Sequence, residues 1–289
     1  MRKRVLSTLL IVALSTLMLV ACSNKKDSLV GSDAKAGNSN IKVIDILLTE
    51  EEYGIGVDKN KPELLEAINS FIEEGLTNGK YEEITGHYFG GEGEPVPIYS
   101  ADKDKSKDQL IVATTGDFEP FDYDDGDKHY GIDKELINAI AESLGKELVL
   151  EYINFEILFA TVNQGKCDVC IAGITINDER KEYVDFSIPY FHAGQCLATR
   201  KDNTELDYAK TLEDIEKKLL EFDENVVIAV ETETTGEDYL NGKEGTFEGV
   251  KCKILRCPTL RDCLIELNNG NADYVIGDSA VLKYLIANG

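Results

Sequence analysis

The chain has 289 residues and a formal net charge of −24, with 30 Lys and Arg against 54 Asp and Glu. Its 43% apolar residues are enough for a packed core, so wholesale disorder is excluded. The acidity also argues against nucleic acid or an anionic membrane surface as the main target, because both would repel it. Only three histidines are present, His87, His129 and His192, which is thin for a multi-histidine centre. No metal and no cofactor is expected, and the length suggests one or two domains.

The N-terminus reads as an address. Arg2, Lys3 and Arg4 precede an apolar run over 5–20, and small residues follow. That order predicts a secretory signal over residues 1–21. Leu19-Val20-Ala21-Cys22 resembles the lipobox of bacterial lipoproteins. The resemblance implies a lipid on Cys22, a chain that begins there, and an outward-facing place on the cell membrane, with a Gram-positive source favoured. Residues 22–40, rich in Ser, Asn, Gly, Lys and Asp, read as a flexible tether.

A strand is expected over 43–48, followed by an acidic stretch from Glu50 to Glu52. A helix then carries Pro62 in its first turn, turns Leu65, Ile68 and Ile72 inward, and ends at Gly75. Tyr81, Ile84, Tyr88 and Phe89 close this part, and 91–108 is polar and rich in Gly and Lys. Beyond it, strands and helices alternate. Strands are expected at 110–114, 148–152, 168–172 and 195–199. One helix covers 135–144, with Asp133 as its N-cap and Gly145 as its stop. Another carries Phe155, Leu158, Phe159 and Val162, and a short one covers 178–183. A second unit repeats the alternation with helix 212–222, strand 226–230, helix 235–240, strand 252–255, a helix capped by Thr259, strand 274–276 and helix 280–287. Alternation of this kind predicts parallel sheets covered by helices on both faces, in two α/β lobes.

Seven cysteines less Cys22 leave Cys167, Cys170, Cys196, Cys252, Cys257 and Cys263. An exported chain could form three bridges, in any of about 15 connectivities, or bury several of these residues as small hydrophobes. Cys167 and Cys170 have CxxC spacing but lie at the edge of a strand, where i and i+3 point to opposite faces. That makes a redox or zinc pair a poor reading. Two other motifs are decoys. The acidic run 122–127 fails the spacing of a calcium loop and reads as a hairpin turn. Gly90-Gly91-Glu92-Gly93 is too acidic to cradle phosphate.

In open parallel sheets, ligands bind beyond the carboxyl ends of strands. Four such ends offer Thr115 to Phe121, Gly173 to Arg180, Glu231 to Thr235, and Gly277-Asp278. A guanidinium, carboxylates, hydroxyls and aromatic rings together suit a small zwitterion.

The residues Pro120-Phe121, Gly131-Ile132-Asp133, Gly165-Lys166-Cys167-Asp168, Ala172-Gly173-Ile174-Thr175, Glu179-Arg180 and Val184 to Tyr190 resemble the polar-amino-acid family of extracellular solute-binding proteins. These are receptors of ABC importers, and the likeness covers nearly all of 109–289. It implies a two-lobed periplasmic-binding-protein fold, each lobe a mainly parallel sheet flanked by helices. It implies that Arg180 clamps a ligand α-carboxylate with help from Thr175 and Thr235. Asp278 and the Gly173 carbonyl would take the α-ammonium, and Phe118 and Phe155 would sandwich the side chain. Glu231 can face that side chain and Thr115 lies near the pocket mouth, and a carboxylate at Glu231 favours a polar or cationic amino acid. One departure stands out: Glu233 occupies the place of a usual glycine before Thr234-Thr235.

The chain order also departs from the family. Residues 41–90 resemble the family's C-terminal tail, and 285–289 would continue naturally into 39–43. A circular permutation is therefore expected. Residues 53–90 and 109–197 would form lobe 1, with 91–108 linking the ancestral ends, and 41–52 and 198–289 would form lobe 2. The rival is a tandem remnant whose 41–90 docks elsewhere or swaps into a neighbour. The expected function is a lipid-anchored, monomeric receptor that closes over a free amino acid and presents it to the membrane subunits of an ABC importer. The rival class is a cleft enzyme, dehydratase-like or lytic, with Glu119 or Glu231 as general acid.

Overall fold

The computed structural model describes residues 40–243, 245 and 247–288. The signal, Cys22 and all of the tether before residue 40 lie outside the described residues. The chain runs β1 (Ile41–Ile44), β2 (Glu51–Tyr53), β3 (Gly56–Val57), α1 (Pro62–Asn78), α2 (Lys80–Gly86), β4 (Gln109–Thr114), β5 (Asp117–Phe118), β6 (Asp122–Asp125), β7 (Lys128–Tyr130), α3 (Ile132–Ser143) and β8 (Glu147–Tyr152). After a 3-10 turn at Phe155–Ile157 come α4 (Leu158–Asn163), β9 (Val169–Cys170), α5 (Asp178–Lys181), β10 (Asp185–Phe186), β11 (Phe191–Ala193) and β12 (Gln195–Arg200). Then follow α6 (Leu212–Glu221), β13 (Val227–Glu231), α7 (Thr235–Leu240), β14 (Lys253–Cys257), α8 (Leu260–Asn268), β15 (Tyr274–Asp278) and α9 (Ser279–Asn288).

Two sheets of five strands organise the molecule, in the orders β10-β3-β9-β4-β8 and β1-β12-β15-β13-β14. They share one plan. In the first, β8, β4 and β9 are parallel, and β3 and β10 add antiparallel pairings beyond β9. In the second, β14, β13 and β15 are parallel, and β12 and β1 add antiparallel pairings beyond β15. In each sheet four strands thus run one way, as expected of a mainly parallel sheet, and one, β3 or β12, runs against them. The reason is that one strand of each sheet arrives by a crossover from the other. The ribbon β2-β11 carries both crossovers, pairing Glu51 with Ala193 and Tyr53 with Phe191.

Helices cover the sheets by burying their apolar stripes. α3 places Ile132, Leu136, Ile137 and Ile140 in one cluster with Leu110, Val112, Leu148 and Leu150 of β4 and β8. α6 turns Ile215 and Leu219 onto Ile228, Val230 and Ile276 of the second sheet. Each such side chain contributes about 1.5–3 kcal/mol on burial. Under the first sheet, Lys134 Nζ meets Asp122 Oδ1 at 2.5 Å with both side chains inaccessible, and also donates to Thr114 Oγ1 at 2.8 Å. That buried pair ties the β6–β7 hairpin to the end of β4. Removing one partner would leave an unpaired buried charge, at a cost of about 3–5 kcal/mol.

Several local expectations change. The strand expected over 43–48 is Ile41–Ile44, in register with β12. The first helix does not stop at Gly75. It runs to Asn78 and is closed by Gly79 at φ 86°, while Gly75 lies on its buried face. Asp133 does not cap α3: the helix starts behind Gly131, and the Asp133 carboxylate instead accepts Gly173 N at 2.6 Å and Tyr190 Oη at 2.8 Å. β12 lies whole in the second sheet, so a lobe boundary at 197 would divide a strand. All six cysteines from Cys167 to Cys263 are free and buried. Burial pushes the Cys167 thiol up to about 11 and Cys170 up to about 12, so neither is a ready thiolate. The acidic run does form a hairpin, with Asp125 paired to Lys128. No helix among the described residues is long and apolar enough to cross a membrane.

Candidate functional site

The strand ends of both sheets face one cavity of about 570 Å³. Arg180, Asp278, Thr175, Gly173, Phe118, Phe155, Thr235 and Glu231 all line it, as does Thr115. The first lobe supplies Phe118, Gly173, Thr175 and Arg180, and the second supplies Glu231, Thr235 and Asp278. Residues from opposite lobes therefore share one space only because the strand ends of the two sheets converge.

Arg180 is fixed from below. It sits on the single turn of α5, whose N-cap Asn177 accepts Arg180 N at 2.9 Å. Nη1 donates to Thr175 O at 2.8 Å, and the guanidinium lies 5.2 Å from the Phe155 ring and 5.4 Å from that of Phe159. Phe155 therefore serves here as a platform for the cation. The residue is only 9% exposed, yet it forms no ion pair with a described carboxylate. Burial pulls its pKa down, and Glu51, Asp238 and Asp278 oppose that through space. A buried guanidinium without an acid partner is a standing demand for an anion.

Asp278 stands at the end of β15. Its Oδ1 accepts the Tyr53 hydroxyl, and its Oδ2 accepts Gln195 Nε2 at 3.1 Å. Burial and the nearby Glu51 raise its pKa to about 7. Tyr53 is inaccessible and its phenol is held well above the ordinary range, so it acts as a donor. Gly173 takes φ 56°, and a side chain there would run into Phe118 and close the floor of the cavity.

The far wall is acidic. Burial, then Asp117 and Asp278, push Glu231 up to about 8, against a hydrogen bond from Leu260 N at the start of α8. Burial also raises Asp117, which lines the same wall. Among the lining residues, Asp117, Glu156, Glu231 and Asp278 face Arg180 and Arg256, and Arg256 Nε is committed to Glu237 at 2.6 Å. Arg261 of α8 pairs with Glu119 of the first lobe. Glu233, the residue in place of a glycine, takes φ 60° and donates its backbone N–H to Glu237 Oε2 at 2.9 Å.

Sequence reasoning missed the hinge residues. Glu51, Tyr53 and Gln195 are buried behind the cavity and hold its hydroxyls and carboxylate. The only local signal was the i, i+2 alternation of Glu51 and Tyr53 on β2, both buried. Asp117 was also missed, although it adjoins Phe118.

Two crossover-linked lobes with a polar cleft between their strand ends define a solute-binding protein. The chain belongs to the bacterial extracellular solute-binding proteins, family 3, which match it over residues 110–273. That family faces outward, in the periplasm or outside the cell. An arginine-binding extracellular protein of Bacillus subtilis is 34% identical over 100 residues, 35% of this chain and 39% of the relative. A cyclohexadienyl dehydratase of Pseudomonas aeruginosa is 38% identical over 91 residues, 31% of this chain and 34% of the relative. The chain thus spans well under two thirds of either curated relative. Among solved structures, a Gly-to-Ala mutant of arginine-bound ArgBP from T. maritima superposes with a TM-score of 0.52 at 35% identity, covering 64% of this chain and 80% of that one.

Proposed function

We propose that this protein is the substrate-binding receptor of an amino-acid ABC importer, tethered outside the cell by a lipid on Cys22, and that it closes over a cationic amino acid. The carrying observation is Arg180: buried, with no ion pair among the described residues, and lining the same cavity as Asp278. The guanidinium suits the α-carboxylate and Asp278 the α-ammonium. That uses one charge of each sign, and the remaining acids, Asp117 and Glu231 foremost, favour a cationic side chain. The arginine-bound neighbour is in keeping with this choice. A ligand that touches both lobes stabilises their closed arrangement, which the importer's membrane subunits would recognise. Calorimetry across the twenty amino acids tests it. Arginine or lysine should bind tightest, with a Kd on the order of micromolar or below. Tight binding of glutamate, aspartate or glutamine without arginine or lysine binding would contradict it.

A dehydratase-like reading keeps one observation in its favour: Glu231, held protonated near neutrality on the cavity wall, is chemically a general acid. Glu119, the other nominee, is engaged with Arg261. Release of a changed product by the purified protein would decide for the enzyme.

The circular permutation is part of the same proposal. In the first lobe β4, β8, β9 and β10 follow one another in the chain. In the second, β13, β14 and β15 do so, but the strand equivalent to β10 is β1, at the other end. Joining α9 to β1 restores the first lobe's order, and β1 pairs with β12 of its own chain. A sequential alignment that finds the family over 110–273 and leaves the front unmatched is in keeping with it.

A further inference from the structure

Resting on the amino-acid receptor reading, we propose that Glu51, from behind the cavity, is a built-in competitor for the two hydroxyls of the ligand-carboxylate position, and that it clasps the two lobes until an amino acid displaces it. Its Oε2 accepts Thr175 Oγ1 at 2.6 Å and Thr235 Oγ1 at 2.9 Å. One hydroxyl comes from each lobe, and the carboxylate comes from β2, in the ribbon that joins them. Its Oε1 accepts Thr49 Oγ1 at 2.6 Å, so the head group is held at both oxygens. The residue is 8% exposed and forms no ion pair among the described residues. Its negative charge instead acts through space on Arg180 and Asp278.

The direction of these hydrogen bonds matters. A hydroxyl has one proton. Thr235 Oγ1 accepts Gln195 Nε2 at 3.2 Å, and so its own proton goes to Glu51. Thr175 likewise gives its proton to Glu51. These are the two hydroxyls expected to help Arg180 hold a ligand carboxylate. While Glu51 keeps both protons, an incoming carboxylate meets oxygen lone pairs and a like charge. It gains the hydroxyls only if Glu51 turns away. Glu51 therefore weakens every ligand that brings a carboxylate. It does not weaken a cation that brings none, and it bridges the lobes when the cleft is empty.

Calorimetry of wild type and Glu51→Gln with L-arginine and with agmatine, its decarboxylated counterpart, separates the two effects. Glu51→Gln keeps an acceptor and removes the charge. Arginine should bind about tenfold tighter to it, the size of one unit of charge–charge interaction, while agmatine binds no tighter. Arginine binding that is unchanged or weaker overturns the proposal, and so does equal tightening of agmatine. Small-angle scattering of the ligand-free proteins is independent of any ligand. Glu51→Ala should be more extended than wild type, and an unchanged radius of gyration overturns the clasp. If wild type binds no amino acid at all, the receptor reading falls by that result, while the scattering still judges the clasp.

Discussion

Tyr53 and Asp278 meet at the hinge, where the phenol of the crossover strand β2 donates to the carboxylate at the end of β15. The contact stabilises the ionised form of an acid that burial otherwise drives toward neutrality. Tyr53→Phe should therefore raise Asp278 above about 7 and weaken arginine binding about three- to tenfold near neutral pH. The deficit should shrink as pH rises and Asp278 ionises again. A deficit that stays constant with pH would mean the phenol only packs.

The acidic wall makes binding and stability depend on pH in opposite senses. Folded Asp278 and Glu231 titrate at about 7 and about 8, above the ordinary carboxylate range of the unfolded chain. The ligand-free fold therefore holds more protons than the unfolded state. Its stability is fully present below the ordinary range and is lost as pH rises through 7 to 8. The melting temperature of the empty protein should be lower at about pH 8 than at about pH 5 through these groups. A bound cation favours the ionised acids, so arginine affinity should rise from about pH 6 to about pH 8, with proton release on binding. Scanning calorimetry and titration in buffers of different ionisation heat check both. Affinity that falls over that range would contradict the assignment of this wall.

Glu233 carries backbone strain that a glycine would not. At φ 60° a side chain costs about 1 kcal/mol, and its carboxyl is pushed up chiefly by desolvation, with Glu156, Glu237, Glu179 and Asp238 adding like-charge repulsion. Glu233→Gly should stabilise the fold by about 0.5–1 kcal/mol in chemical denaturation. Glu233→Gln relieves the repulsion and keeps the strain, so it should recover only a smaller share. Equal effects from the two would assign the cost to charge.

The walls of the cavity were legible because each follows a strand end, where an apolar run gives way to polar residues: Thr175 after β9, Glu231 at the end of β13, Asp278 at the end of β15. The hinge was not legible. Glu51 lies 124 residues from Thr175 and 184 from Thr235, and no local pattern marks a partnership made by a crossover. Asp133 looked like a helix cap because caps and buried acceptors use the same side chain. What separates them is Gly131, whose φ of 126° lets the chain pass tight against the Phe121 carbonyl and start α3 a turn earlier. The one reversed strand of each sheet, β3 or β12, was not legible because strand–helix alternation reports the parallel strands of a lobe and is silent about one that arrives from the other lobe.

A crystal structure of the protein grown with millimolar L-arginine tests the central assignment most directly. The ligand carboxylate should lie within about 3 Å of the Arg180 guanidinium, with its ammonium on Asp278 and its side chain toward Asp117 and Glu231. An Arg180 guanidinium with no ligand carboxylate on it, beside a cleft that leaves arginine unbound, would contradict it.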